Sequence, residues 1–243
     1  MNDFQKRVVE LHRAYSEGLL GDQTMPEDTH PEFSDPEDRL AFFTLPMALN
    51  YQRNSYKLWE AATETFCDEE TRLVFSVERV AGLSRDELRV SLTKHKVALQ
   101  PNKHVDTWWR IANTIVDQWG SVSGLLECSD CDFLKLQGLV QVEHKKGFPY
   151  LSGPKIFHYW SYVLGEYGGV ELKNREFIQI APDTHVIQCS VKLGLIDEWQ
   201  AKTMKRDDIS EVWREALKGT GLDPIDIHSP LWFWSRNGFK YEV

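Results

Sequence analysis

Gly153, Pro154 and Lys155 stand in a row, and Asp183 follows 28 positions after the lysine. Each heads a stretch whose apolar residues recur at helical spacing. Ile156, Trp160, Val163, Leu164 and Tyr167 follow the lysine; Val186, Val191, Leu193 and Leu195 follow the aspartate. A lysine amine can attack a carbon that carries a leaving group, and a fixed carboxylate can stabilise the positive charge that develops there. The same two residues can also do no more than cap and solubilise their helices. Aspartate is a preferred N-cap, and proline suits the first helical turn.

The elements that position these residues read as helices joined by short polar loops. Residues 3–18 have helical spacing, and an acidic, proline-rich loop follows at 25–38. The stretch 39–66 reads as one long helix kinked or split by Pro46 and the polar run after it. Helices are expected over 69–81 and over 83–94, the latter capped by Ser84. Between 103 and 119, Val105, Trp108, Ile111, Ala112, Ile115, Val116 and Trp119 form one buried stripe. Further helices are expected at 120–127, 208–221 and 230–239. "EFIQIAP" is the one strand candidate, and it is short. The fold class is all-α, without an internal repeat.

A chain of 243 residues, 42% hydrophobic and 27% charged, can bury a sizeable core. No apolar run is long enough to span a bilayer, and the N-terminus lacks a signal-peptide core. The expected place is therefore the cytoplasm, with no membrane partner. The formal net charge of −9 argues against indiscriminate polyanion binding. Local basic surface exists nonetheless, at 93–110 with Lys94, Lys96, Lys103 and Arg110, and at 143–155 with Lys145, Lys146 and Lys155. Each of these could equally be a solvated loop. Cys128 and Cys131 make a CxxC with no second half, and Cys67 and Cys189 stand alone. Free thiols, and no metal site, are the expectation.

The order of these pieces over 37–243 resembles the helix-hairpin-helix DNA glycosylase superfamily of the endonuclease III type. "LAFFTLPMALNYQRNSYKLWEAA" resembles the first barrel helix and places Gln52 at its polar turn. "VALQPNKHVDTWWRIANTI" is similar to the loop that wedges into DNA, with Leu99, Gln100 and Pro101 at its tip. "FPYLSGPKIFHYW" is similar to the hairpin and the helix after it, and "APDTHVIQCSVKLGL" to the Val-Asp-Thr-His-Val motif. Arg236 matches the closing Gly-Arg helix. Two departures stand out: Leu151 occupies the place of an earlier hairpin glycine, and the stretch from Lys155 to Asp183 is long. The looser spacing resembles the archaeal-type 8-oxoguanine enzymes.

The resemblance implies a two-lobed helical fold: an N-terminal arm (1–38) packing with the C-terminal lobe, a barrel domain with the hairpin (39–182) and a C-terminal lobe (183–243). It implies a monomeric base-excision-repair enzyme, associated with the nucleoid when bound, that acts on duplex DNA carrying a damaged base, an oxidised guanine where the looser spacing is the guide. Lys155 would be the Schiff-base nucleophile and Asp183 the electrostatic partner. Such a base must be flipped out of the stack, and Gln52, Leu99 and Gln100 would plug the gap. Pro101, Lys103, Lys145, Lys146 and Gly153 would contact DNA. Trp109, Trp232 and Trp234 would wall a base pocket. The family's iron–sulfur ligands begin where Phe239 stands, and no cysteine follows, so no cofactor is expected. Two alternatives stay open: a monofunctional glycosylase that uses water, and a non-catalytic DNA- or protein-binding descendant of the fold.

Overall fold

Thirteen α-helices and no strand form in the computed structural model, which describes residues 1–243. A lone parallel bridge joins Asp132 and Lys173. The chain is therefore all-α. It begins with α1 (Asp3–Ser16), followed by α2 (Pro36–Leu49), α3 (Ser55–Cys67), α4 (Val77–Ala81) and α5 (Arg85–Lys94). Next come α6 (Pro101–Trp119), α7 (Val122–Cys128), α8 (Phe133–Gln137) and α9 (Pro154–Glu166). The last four are α10 (Thr184–Lys192), α11 (Glu198–Thr203), α12 (Arg206–Leu217) and α13 (His228–Arg236).

The chain divides into two compact units, Met25–Lys173 and Met1–Thr24 with Asn174–Val243. In the first, α2 is buried along its whole length from Leu40 to Leu49. Phe42 has no exposed surface and meets Phe33, Phe43, Trp59, Phe66 and Phe75 ring to ring. Truncating it to alanine would cost about 3–5 kcal/mol. Trp160 of α9 donates to the Thr44 hydroxyl of α2 at 3.1 Å, so the helix that carries Lys155 is pinned to the core.

In the second unit α1 packs on α13, with Tyr15 stacked on Phe233 at 5.9 Å. Gln5 donates to the carbonyls of Ala216 and Lys218. Trp213 of α12 donates to Ser190 of α10 at 2.8 Å.

The divisions fall after Thr24 and Lys173, not at 38 and 182. Met25, Pro26 and Glu27 are buried, and their short turn packs on α3. At the other division, Arg175 pairs with Asp223 and Asp226, and Ser210 donates to the carbonyl of Ile180. The strand expected at "EFIQIAP" does not form for the same reason: Arg206 and Ser210 take its carbonyls. The helix expected over 69–81 is broken into a 3-10 turn, Arg72–Phe75, and α4. Trp108 donates its indole N–H to the Val74 carbonyl at 2.8 Å, and Ser76 caps α4 instead. Pro46 lies within α2 without ending it; the break comes after Leu49.

Candidate nucleic-acid interface

The start of α9 has no side-chain cap. Gly153 occupies the N-cap with extended backbone, Pro154 is the first helical residue, and Lys155 is exposed and in no ion pair. First-turn amides of a helix have no acceptor within it, and the helix dipole puts partial positive charge there. The start of α7 is filled: Ser121 accepts from Gly124, and the Glu37 carboxylate accepts from Val122 and Ser123, whereas α6 also begins without a side-chain cap. A lysine at an uncapped N-terminus is electrostatically disfavoured, as are Lys205 and Arg206 at the uncapped start of α12. The apolar surroundings expected of a nucleophilic lysine are absent.

The approach to α9 is a tight loop after a helix that runs through α8 and a π-helical stretch to Glu143. Phe148 and Leu151 are fully buried and anchor it, which accounts for a leucine where the family pattern has glycine. A Cβ at Gly153 would meet the Tyr150 carbonyl oxygen at 3.0 Å, a tight contact. The Gly153 amide donates to that same carbonyl.

Three loops of this unit converge beside Tyr150. Arg53 donates to the carbonyls of Val97 and Lys96, tying the loop of Gln52 to the loop that ends in Leu99 and Gln100. Gln52 is exposed with a left-handed φ of 51°. Leu99 is 54% exposed, Gln100 is exposed, and Pro101 opens α6. The Leu99 amide donates to His104 Nδ1 at 3.2 Å, which requires that nitrogen to be unprotonated. Burial, with the nearby charges of Arg53 and Lys103, lowers the His104 pKa to about 4 and keeps it so. The Lys103 ammonium lies 4.8 Å from the Tyr51 ring and 4.5 Å from the Tyr150 ring. Gln52, Leu99, Gln100, Pro101 and Lys103 are thus brought together around Tyr150, which lies four positions before the first residue of α9.

Lys145 and Lys146 line a groove of about 610 Å³. Asp117, Glu143 and Thr114 line it too, so its charge is mixed. Gly147 is held against Thr114, whose hydroxyl a Cβ would meet at 2.3 Å.

Trp109 and Trp234, two of the expected pocket walls, make packing contacts. Trp109 donates to the Leu83 carbonyl at 3.1 Å and carries the Arg85 guanidinium over its ring at 4.0 Å, so it packs α6 on α5. Trp234 is buried, donates to the Tyr241 carbonyl and meets Phe239 edge-on. Trp234 offers no free face to a base, and Arg85 covers one face of Trp109. Trp232 is half-buried between His185 and Arg236.

Asp183 belongs to the other unit from Lys155. It is the N-cap of α10, and its carboxylate accepts from the Val186 amide at 3.0 Å. Two residues on from Asp183, His185 Nδ1 is 3.0 Å from the Ser235 hydroxyl, which donates to Gln188. Burial, then the Asp183 charge, pushes the Cys189 thiol well up.

Sequence reasoning missed a buried acid. Glu27, in a stretch that reads as a polar loop, is 1% exposed, and burial raises its pKa to about 7. Tyr159 and Trp59 face its carboxyl. Tyr159 lies one turn after Lys155 on α9.

No three His, Cys, Asp or Glu side chains are grouped to hold a metal, the four cysteines are unpaired, and no helix is long and apolar enough to cross a membrane. The chain matches no family model and no curated relative.

Proposed function

We propose that this protein is a DNA N-glycosylase with abasic-site lyase activity that removes a damaged base, of which an oxidised purine such as 8-oxoguanine is the first candidate. The observation that carries the reading is the exposed, unpaired Lys155 at an uncapped helix start, five positions after Tyr150, beside which the loops of Gln52, Leu99, Gln100 and Lys103 converge. An anion-binding helix start beside an exposed apolar tip and a basic side chain suits a phosphate backbone interrupted by a displaced base.

In this reading the Lys155 amine attacks C1′ of the displaced nucleotide. The C1′–N bond breaks, its electron pair leaves with the base, and the base takes up a proton. The amine loses its protons as the sugar ring opens, leaving an imine between Nζ and C1′. Removal of a C2′ proton then expels the 3′ phosphate. Asp183 is assigned the stabilisation of positive charge on the sugar. Its cap bond to Val186 is compatible with this, since a carboxylate accepts more than one hydrogen bond. The exposure of Lys155 favours one second reading, in which water is the nucleophile and Lys155 contacts phosphate.

Duplexes bearing 8-oxoguanine, thymine glycol, uracil or an abasic site separate these readings. Base release with strand scission supports the first, release without scission the second. Release from none of the lesions, with the abasic strand also intact, rejects both.

A further inference from the structure

Tyr51 and Tyr150 come from loops 99 positions apart, yet their ring centroids are 5.5 Å apart and tilted by 32°. Neither is a core residue; Tyr51 is 39% exposed and Tyr150 half-buried. The backbone is strained to present them. Tyr150 has a φ of 63°, which a bulky residue rarely adopts, and Gln52 beside Tyr51 has a φ of 51°. Over both rings lies the Lys103 ammonium, which has no carboxylate partner.

We infer that the Tyr51–Tyr150 pair is a stacking site for an unpaired nucleobase of DNA, held by the Lys103 ammonium until DNA binds. The inference rests on the DNA-binding part of the function proposed above. At 5.5 Å the rings are too close to admit a base between them. A base therefore stacks on the faces that Lys103 covers. A tyrosine face attracts an ammonium weakly where solvent competes, and a nucleobase more strongly. The displaced ammonium then has a phosphate as its partner, so the exchange trades one weak contact for two stronger ones. The exposed Leu99, on the loop that precedes Lys103, supplies the wedge that leaves a base unpaired.

The test uses two labelled duplexes, one intact and one with a stable abasic-site analogue opposite 2-aminopurine. Wild-type protein is expected to bind the interrupted duplex about tenfold tighter than the intact one and to quench the 2-aminopurine. Tyr51→Leu and Tyr150→Leu should each lose most of that preference while keeping affinity for intact DNA; Tyr51→Phe and Tyr150→Phe should retain it. Lys103→Met should weaken binding to both duplexes and lower the salt slope by about one. Unchanged preference in the leucine variants overturns the inference. So does an unquenched probe in wild type, which decides the matter if the leucine variants do not fold. A Lys103→Met variant that melts early with its preference and salt slope intact makes the trio a brace between loops. Trapping of a covalent adduct without any tyrosine dependence defeats this inference alone, whereas no binding to either duplex defeats the proposed function as well.

Discussion

Two helix starts, α9 and α10, carry the residues on which the functional reading turns, and they are built in opposite ways. At α10 the functional candidate is itself the cap: Asp183 accepts from Val186, and a negative charge suits the positive end of the helix. At α9 the candidate is a cation, the cap is a glycine without a side chain to offer, and the first-turn amides are left open. Asp183 would be well chosen in a protein that did nothing. Lys155 would not. Capping accounts for Asp183, whereas Lys155 has no partner in the structure.

That contrast can be broken most sharply by activity. Lys155→Ala is expected to lower strand scission at an abasic site roughly a thousandfold or more. Its stability should change by less than about 1 kcal/mol, and upward if at all, because a misplaced charge leaves the helix dipole. A large fall in melting temperature would show a structural role for Lys155 and erase the contrast.

Next in size is a pH effect rooted in α9. Glu27, buried against Tyr159 and Trp59, has its carboxyl pKa raised from 4.5 to about 7. The folded state therefore holds a proton that the unfolded chain releases at lower pH. Stability from this group is full below about pH 4.5 and is lost as pH rises through about 7, by an amount on the order of 3 kcal/mol. Thermal melts of wild type between pH 5.5 and pH 8 should show this fall, and Glu27→Gln should flatten it. A wild type equally stable at both would remove Glu27 as the buried anchor of α9.

Asp183 offers a smaller and more discriminating effect. Asp183→Ala should cost about 1 kcal/mol as a lost cap, while Asp183→Asn keeps a cap oxygen and loses only a few tenths. If Asn also abolishes base release, the charge has a second task; if activity survives in Asn, Asp183 is a cap and nothing more. The smallest effect concerns the Leu99 tip. The His104 pKa is lowered from 6.5 to about 4, so its contribution is present above pH 6.5 and lost as pH falls toward 4. Hydrogen exchange at the Leu99 amide, corrected for intrinsic rate, should quicken between pH 7 and pH 5.

Much of the fold was legible because it is local. Ser84 and Glu87 form a capping box where the sequence places a helix start, and the stripe from Val105 to Ile115 is buried as its spacing demands. What escaped was set by distant partners. Nothing near Ser76 says that an indole from α6 will take the Val74 carbonyl and break the helix. Nothing in "MPEDTH" says that Glu27 will be buried. Trp109 and Trp234 look like pocket walls by residue type, and only their hydrogen-bond partners make them packing residues. Tyr51 and Tyr150 could have been noticed as aromatics flanking two of the polar loops singled out, but their pairing is a tertiary fact.

The central claim is that Lys155 is a nucleophile. The direct measurement is borohydride reduction of the protein on abasic-site DNA, followed by proteolysis and mass spectrometry of the cross-linked peptide. The account predicts a reduced adduct on the peptide that contains Lys155, absent in Lys155→Ala. An adduct on another lysine, or undiminished trapping in that variant, would contradict it.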